Sequence, residues 1–312
     1  MSETTVILVN GEALEDMDSP GISTQKEYIQ RFTEGLSPLL SSSKNLLIMH
    51  GNKPQVGFVL YRGEIASHIL HPSPLDICGA DTQGATGYML SVSVLNELRK
   101  LNVERETFSI VTETKVDINS DTEGQSKKAI GPWFDRQRAE INHQTKGWEI
   151  MEDPGYGYRR VVPYYKPVEV LGMKAIKSLV EDGKIVIAAG GGGIPVVEDP
   201  DGSLRGIEAV VDTDAVASII ANELDAETLI MVVEGPKKFA RSNLSIYEKN
   251  EMTLEQLEGM LEKGEITSSH VKNKIKSAGN YLRGGKNRKV IITTILFLSD
   301  ALHGENGLII TL

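Results

Sequence analysis

Short apolar runs alternate along the chain with longer segments whose apolar residues recur at helical spacing. The runs rich in Val, Ile and Leu predict buried strands at Val6–Val9, Leu46–Met49, Ile185–Ala188, Leu229–Val233, Val290–Thr293 and Leu308–Thr311. Amphipathic patterns between them predict helices within residues 24–40, 91–101, 169–183, 212–224 and 253–264. Strands that alternate with helices are typical of βαβ units. The pattern therefore predicts an α/β protein with a mostly parallel central sheet.

Residues at the predicted helix ends support these boundaries. Asp212 or Thr213 is placed as an N-cap, and Thr253 with Gln256 has the spacing of a capping box. Gly183 follows its helical segment as a C-cap.

One long segment interrupts the alternation. Residues 112–165 are polar and dense in charged and turn residues. A stretch of this length inside a compact domain is either functional or a small subdomain. We therefore predict one domain over residues 1–312, with residues 112–165 forming an inserted, hairpin-like subdomain that protrudes from it.

Composition excludes several classes of protein. The net charge of −10 disfavours nucleic-acid binding, which needs a concentrated basic surface. With Cys78 as the single cysteine, neither an intrachain disulfide nor a cysteine metal cluster can form. His68 and His71 lack an evident third ligand, so we expect no metal bound by the protein alone. The chain shows no signal peptide and no membrane-spanning run, so we expect a cytoplasmic protein with no membrane partner.

Four consecutive glycines follow a predicted buried strand, at Gly190, Gly191, Gly192 and Gly193. Glycine loses more backbone freedom on folding than other residues, so four in a row need a reason. A flexible linker, a tight structural turn and close approach of a ligand are the alternatives. Apolar residues flank both sides, which favours the last two.

Glycine also occurs where other predicted strands end. Gly11 follows the first strand, and Gly51 follows the second. Ligands of open α/β sheets bind beyond the carboxyl ends of the strands, and glycine-rich turns suit anions such as phosphate. Neither a Walker A sequence nor the dinucleotide fingerprint is present. These turns therefore predict an anion site of another kind.

Six segments, in this order and over nearly the whole chain, resemble carbamate kinases of the amino acid kinase superfamily. They are His50–Gly57, Asp76–Leu90, Lys128–Trp133, Gly155–Pro163, Ile185–Val196 and Gly206–Leu224. The resemblance implies a three-layer α/β/α sandwich with a protruding subdomain, assembled as a homodimer. It also implies reversible phosphoryl transfer between ATP and carbamate, usually run from carbamoyl phosphate and ADP, with Mg²⁺ at the phosphates.

The same resemblance assigns roles to residues. It implies catalytic roles for Lys128, Asp214 and Lys274. The substrate is expected to contact Gly11, Gly51, Asn52, Gln55, Gly190, Gly191, Gly192 and Gly193. The nucleotide is expected to contact Asp212, Thr213, Glu234 and Gly235.

The chain departs from the family pattern at several of these positions. Glu12 stands where the family has Asn, Lys53 where it has Gly, and Thr213 where it has Lys. Lys272 is a second candidate for the role assigned to Lys274. The segments at residues 231–239 and 269–274 on the nucleotide side also depart from the family pattern. Because most nucleotide-side elements are altered and most carbamate-side elements are kept, the alternative is a non-catalytic or substrate-shifted relative that binds carbamoyl phosphate or a similar anion.

Overall fold

The computed structural model describes residues 3–16, 19–119, 127–153, 155–233, 250–266 and 268–312. Its strands are β1 Thr4–Val9, β2 Asn45–His50, β3 Thr107–Ser109, β4 Glu113–Asp117, β5 Lys127–Phe134, β6 Glu149–Asp153, β7 Gly157–Val170, β8 Ile185–Ile187, β9 Ile194–Glu198, β10 Leu204–Gly206, β11 Val210–Val211, β12 Thr228–Val233, β13 Glu251–Thr253, β14 Lys289–Thr294 and β15 Leu308–Thr311.

Helices connect most of these strands. They are α1 Ile22–Gly35, α2 Ser37–Leu40, α3 Lys53–Ala66, α4 Leu75–Lys100, α5 Arg136–Lys146, α6 Met173–Glu181, α7 Thr213–Glu223, α8 Leu254–Glu262, α9 Ser269–Leu282 and α10 Leu298–Leu302. Short 3₁₀ helices cover Gly11–Leu14, Gly190–Gly192 and Ile295–Phe297.

The larger sheet places its strands in the order β13-β15-β14-β12-β1-β2-β8-β3. Only β14 and β15 pair antiparallel among these described neighbours, and the other pairs are parallel. The carboxyl ends of β1, β2, β8 and β12 therefore lie at one edge of the sheet.

Both faces of this sheet are covered by helices. Along β1, Val6 and Leu8 pack in the core cluster that contains residues of α6, α7, α8 and α9. Ile7 and Val9 point the other way, into a cluster with residues of α1, α2, α4 and α10. Successive side chains of a strand point to opposite faces, so two helical layers enclose the sheet. The predicted α/β/α sandwich is confirmed.

A second sheet lies beside the first, with the order β10-β9-β4-β7-β11, and β5 and β6 both pair with β7. Its strands β4, β5, β6 and the start of β7 come from the polar segment 112–165, in which α5 connects β5 to β6, and β9, β10 and β11 come from later in the chain. The boundaries of a protruding subdomain stay a prediction. What matters for the site is that β5 and β7 carry polar side chains toward the edge of the first sheet.

The sequence located most elements of the larger sheet. All six predicted strands are confirmed, as are the N-cap at Asp212 and the capping box of Thr253 with Gln256. The single helix predicted over 169–183 is wrong at its start. Residues 169–170 end β7, and α6 begins only after Gly172. The φ of Gly172 is 74°, a left-handed conformation that separates the strand from the helix.

Candidate active site

A cavity of about 380 Å³ opens at the carboxyl ends of β1, β2, β8 and β12. Most of the residues that sequence analysis proposed for the site line it: Gly11, Gly51, Asn52, Lys128, Gly191, Gly193, Asp212, Thr213, Asp214 and Lys274. Three others, Gln55, Gly190 and Gly192, lie outside its wall. Glu234 and Gly235 lie outside the described residues. The three glycine turns therefore converge on one cavity.

The turn after β8 is built from left-handed backbone. Gly191, Gly192 and Gly193 have φ values of 68°, 91° and 88°, and Ala189 before them has 51°. Such angles strain any residue with a side chain, which explains glycine at the last three positions. The amide groups of Gly192 and Gly193 donate to carbonyl groups within the turn. At these two positions the amides serve the turn itself.

Space is the second requirement of this turn. A Cβ at Gly190 would lie 2.4 Å from the ring of His50, and one at Gly191 would lie 2.3 Å from the Asn52 side chain. At Gly193 it would lie 2.1 Å from Thr114 Oγ1. His50 is the last residue of β2, and Asn52 lies in the turn that follows. The glycines therefore let two strand-end turns pack directly against each other.

The turns after β1 and β2 are in backbone contact. A Cβ on Gly51 would lie 2.4 Å from the nitrogen of Gly11, and one on Gly11 would lie 2.9 Å from the carbonyl carbon of Gly51. The Gly51 amide donates to Val9 O at 2.7 Å. Asn52 Nδ2 then donates to Thr82 Oγ1 on α4 at 2.8 Å, which fixes the side chain at the cavity wall.

Lys274 brings a buried positive charge to the cavity from α9. Its Nζ lies 2.6 Å from Asp214 Oδ1 and donates to Asn10 Oδ1 at 3.3 Å. The Lys274 side chain is 7% exposed and that of Asp214 17%. Lys272, on the same helix, is exposed and outside the cavity wall. Lys274 is therefore the lysine of this helix that faces the cavity.

Lys128 reaches the cavity from β5 of the second sheet. Its Nζ lies 4.4 Å from the centre of the Tyr164 ring. The Tyr164 hydroxyl donates to Asp212 Oδ2, while Asp212 Oδ1 accepts from the amides of Asp214 and Ala215 as the N-cap of α7. Tyr164 thus links the lysine to the start of α7.

Burial and nearby charges shift the pKa values of Lys128 and Asp212, the two residues that Tyr164 connects. Burial lowers the pKa of Lys128, and the nearby charge of Lys53 lowers it further. Burial raises the pKa of Asp212, and the neighbouring carboxylate of Asp214 adds to that rise. Ionisable groups with perturbed pKa values in a cleft are typical of functional sites.

His50 supports the floor of the site. It is 1% exposed, and its Nδ1 donates to Gly51 O at 3.1 Å. Burial lowers its pKa to about 4, so the ring is neutral at pH 7. It therefore packs as a neutral side chain beneath the four-glycine turn.

Sequence reasoning missed several residues of the cavity wall, and three of them carry polar side chains near the charged groups. These three are Asn10, Tyr164 and His270. Asn10 carried a usable signal, because it is the first polar residue after β1. Atoms packed around His270, and after them the charges of Lys53 and Lys128, lower its pKa to about 4, although the ring keeps an exposed side at the cavity mouth.

Within the described residues, His, Cys, Asp and Glu side chains form no group of three able to hold a metal ion. No helix in that part of the chain has the length and apolar character needed to cross a membrane.

Comparison with known proteins agrees with the fold. The model of the amino acid kinase family matches residues 3–294. The chain is 32% identical to the carbamate kinase of Pyrococcus horikoshii, over 100% of each chain. It is 34% identical to the carbamate kinase of Clostridium perfringens, over 97% of this chain and 98% of that one.

Solved structures give the same result. Carbamate kinase from Giardia lamblia bound to AMP-PNP superposes with a TM-score of 0.86 at 26% identity, covering 99% of this chain and 98% of the other. The chain therefore belongs to the amino acid kinase family and, within it, to the carbamate kinases.

Proposed function

We propose that this protein catalyses reversible phosphoryl transfer between ATP and carbamate in the cavity at the strand ends. The observation that carries the proposal is the convergence of Lys128 and Lys274, from the second sheet and from α9, on the cavity that the glycine turns form. Phosphoryl transfer depends on positioning and on positive charge around the moving group. The cavity supplies both.

In the direction of ATP synthesis, a terminal oxygen of ADP attacks the phosphorus of carbamoyl phosphate. The bond between phosphorus and the carbamoyl oxygen breaks, and carbamate leaves with that electron pair. Lys128 and Lys274 lie where they can stabilise negative charge on the phosphoryl oxygens. Asp214 holds the Lys274 ammonium group in place. Asp212 orients the start of α7, where Thr213 lines the cavity.

The nucleotide is proposed to enter as its magnesium complex. Mg²⁺ is commonly held by substrate phosphates together with one or two carboxylates and supplies neutralising charge. Asp212 and Asp214 in the cavity wall can provide these one or two carboxylates. Glu234 and Gly235, assigned to the nucleotide from sequence, directly follow the cavity residue Val233.

A homodimer is part of the proposal. Ile77, Tyr88 and Val92 are exposed apolar residues on one side of α4. An apolar face of this kind is typical of an interface with another protein. Sedimentation should give a dimer for the native chain and a monomer for Tyr88→Glu. The net charge of −10 continues to predict that nucleic acid is not a partner.

The test is an assay of ATP formed from ADP and carbamoyl phosphate, coupled to hexokinase and glucose-6-phosphate dehydrogenase. We expect Lys128→Ala and Lys274→Ala each to lower kcat by about 100-fold, the usual loss for one preorganised electrostatic group. Lys272→Ala is the matched control on the same helix, and because its side chain is exposed we expect native kinetics.

Equal effects of Lys272→Ala and Lys274→Ala would contradict the assignment of α9. No turnover by the native chain, with carbamoyl phosphate still bound in calorimetry, would instead favour the non-catalytic relative. That alternative is not favoured by the full-length similarity to carbamate kinases.

A further inference from the structure

Glu12 and Lys53 form an ion pair at the cavity wall. Lys53 Nζ lies 4.0 Å from Glu12 Oε1, and the side chains are 45% and 21% exposed. The two residues follow Gly11 and Gly51, whose backbones touch, so the contact between the turns brings the pair together. A carboxylate and an ammonium group are therefore fixed side by side where the substrate is proposed to bind.

The pair faces the other charged groups of the site. The charge of Lys53 contributes, after burial, to the lowered pKa of Lys128. The charge of Glu12 acts on Lys128 in the opposite direction. The charges of Lys53 and Glu12 also act on the pKa of His270 at the cavity mouth, the first lowering it and the second raising it. Glu12 is thus within electrostatic reach of the groups that bind the substrate.

A carboxylate in an anion site restricts how the substrate can lie. It repels a phosphoryl group placed against it, whereas Lys128 and Lys274 attract one. Carbamoyl phosphate has one group that donates hydrogen bonds, its amino group. A carboxylate offers about four acceptor positions, so it can accept a substrate N–H in addition to contacts with the protein.

We propose that Glu12 is a specificity determinant that accepts a hydrogen bond from the amino group of the carbamoyl moiety, with Lys53 balancing its charge. The inference rests on the proposed function and names the part of the substrate that this site recognises. With the amino group against Glu12, the phosphoryl group is directed toward Lys128 and Lys274. A substrate with a methyl group in that place leaves the carboxylate without its donor.

Acetyl phosphate provides the comparison, because a methyl group of similar size replaces the amino group. The experiment measures kcat/KM for carbamoyl phosphate and for acetyl phosphate, both with Mg-ADP, in the native protein and in Glu12→Ala, Glu12→Gln and Lys53→Met. Thermal unfolding of each variant checks that it is folded.

The native protein should prefer carbamoyl phosphate. Glu12→Ala should lower that preference by about 10- to 100-fold, the range for a hydrogen bond to a charged group, through loss of carbamoyl phosphate activity alone. Glu12→Gln keeps an acceptor oxygen and should retain part of the preference. Lys53→Met leaves the Glu12 carboxylate without its counter-charge and should reduce both activities by a similar factor, because the unbalanced carboxylate repels the phosphoryl group common to both substrates.

An unchanged preference in a folded, active Glu12→Ala would overturn this inference alone. If that variant does not fold, a native preference together with native rates in Glu12→Gln would overturn it. Absence of turnover with either substrate in the native protein would overturn the proposed function and this inference with it.

Discussion

Asp214→Asn isolates the ion pair that holds Lys274 in the cavity. The native carboxylate lies 2.6 Å from Lys274 Nζ. Asparagine has nearly the same shape but no charge. The variant therefore leaves a buried ammonium group whose contacts in the described structure are neutral, the Oδ1 atoms of Asn10 and of the new asparagine.

The size of the effect follows from burial. Breaking a buried ion pair by removing one partner costs about 3–5 kcal/mol. Asp214 is 17% exposed, so we expect a loss near the lower end, about 3 kcal/mol. For a chain of 312 residues this corresponds to a fall in Tm of about 5 °C. Loss of the positioning contact should also lower kcat/KM by about 100-fold.

Thermal unfolding and the coupled ATP assay measure the two effects. Glu258→Gln is the matched control, since it removes a carboxylate from the exposed pair of Glu258 with Arg283, whose atoms also lie 2.6 Å apart. Exposed pairs contribute about 0–1 kcal/mol, so its Tm should fall by about 1 °C and its kinetics should stay native. Equal shifts in Tm for both variants, or native kcat/KM in Asp214→Asn, would refute the reasoning.

Three further predictions concern the turns and the site. Gly193→Ala places a Cβ 2.1 Å from Thr114 Oγ1 at a φ of 88° and should cost about 3 kcal/mol in urea unfolding. Gly202→Ala, in open space at a φ of 84°, should cost only the backbone part, about 1–2 kcal/mol; equal losses would contradict the packing argument. The folded state holds the pKa of His50 at about 4, below its ordinary 6.5, so stability falls as pH drops from about 6.5 to about 4. His50→Gln should flatten that pH dependence by up to about 3 kcal/mol, and an unchanged slope would count against it. Thr213→Lys should raise kcat for ATP formation at least about tenfold by adding a cation to the cavity wall, and an unchanged kcat would show that charge is not limiting.

The spacing of apolar residues along the chain made the larger sheet predictable, because apolar positions in the strands are the buried ones. The alternation of Val6 and Ile7 between two core clusters is what a strand covered on both faces requires. Sequence analysis left the choice between Lys272 and Lys274 open, and the burial of α9 in the structure separates them. Lys274 lies three residues after Val271 and four before Ala278, both buried, whereas Lys272 lies four residues before the exposed Lys276.

Contacts between distant segments were not predictable from local pattern. Lys128 meets Tyr164 because β5 and β7 pair in the second sheet, and nothing in either segment indicates that pairing alone. Glu12 meets Lys53 because the backbones of two glycine turns touch. The glycines after β8 were expected to bring the backbone close to an anion, but two of their amides are engaged within the turn.

The most direct test of the central claim is phosphorus NMR of the native protein with carbamoyl phosphate and Mg-ADP. The account predicts that the carbamoyl phosphate resonance declines while the γ-phosphate resonance of ATP rises by the same amount. Conversion of carbamoyl phosphate to inorganic phosphate alone, at the rate seen without protein, would contradict it.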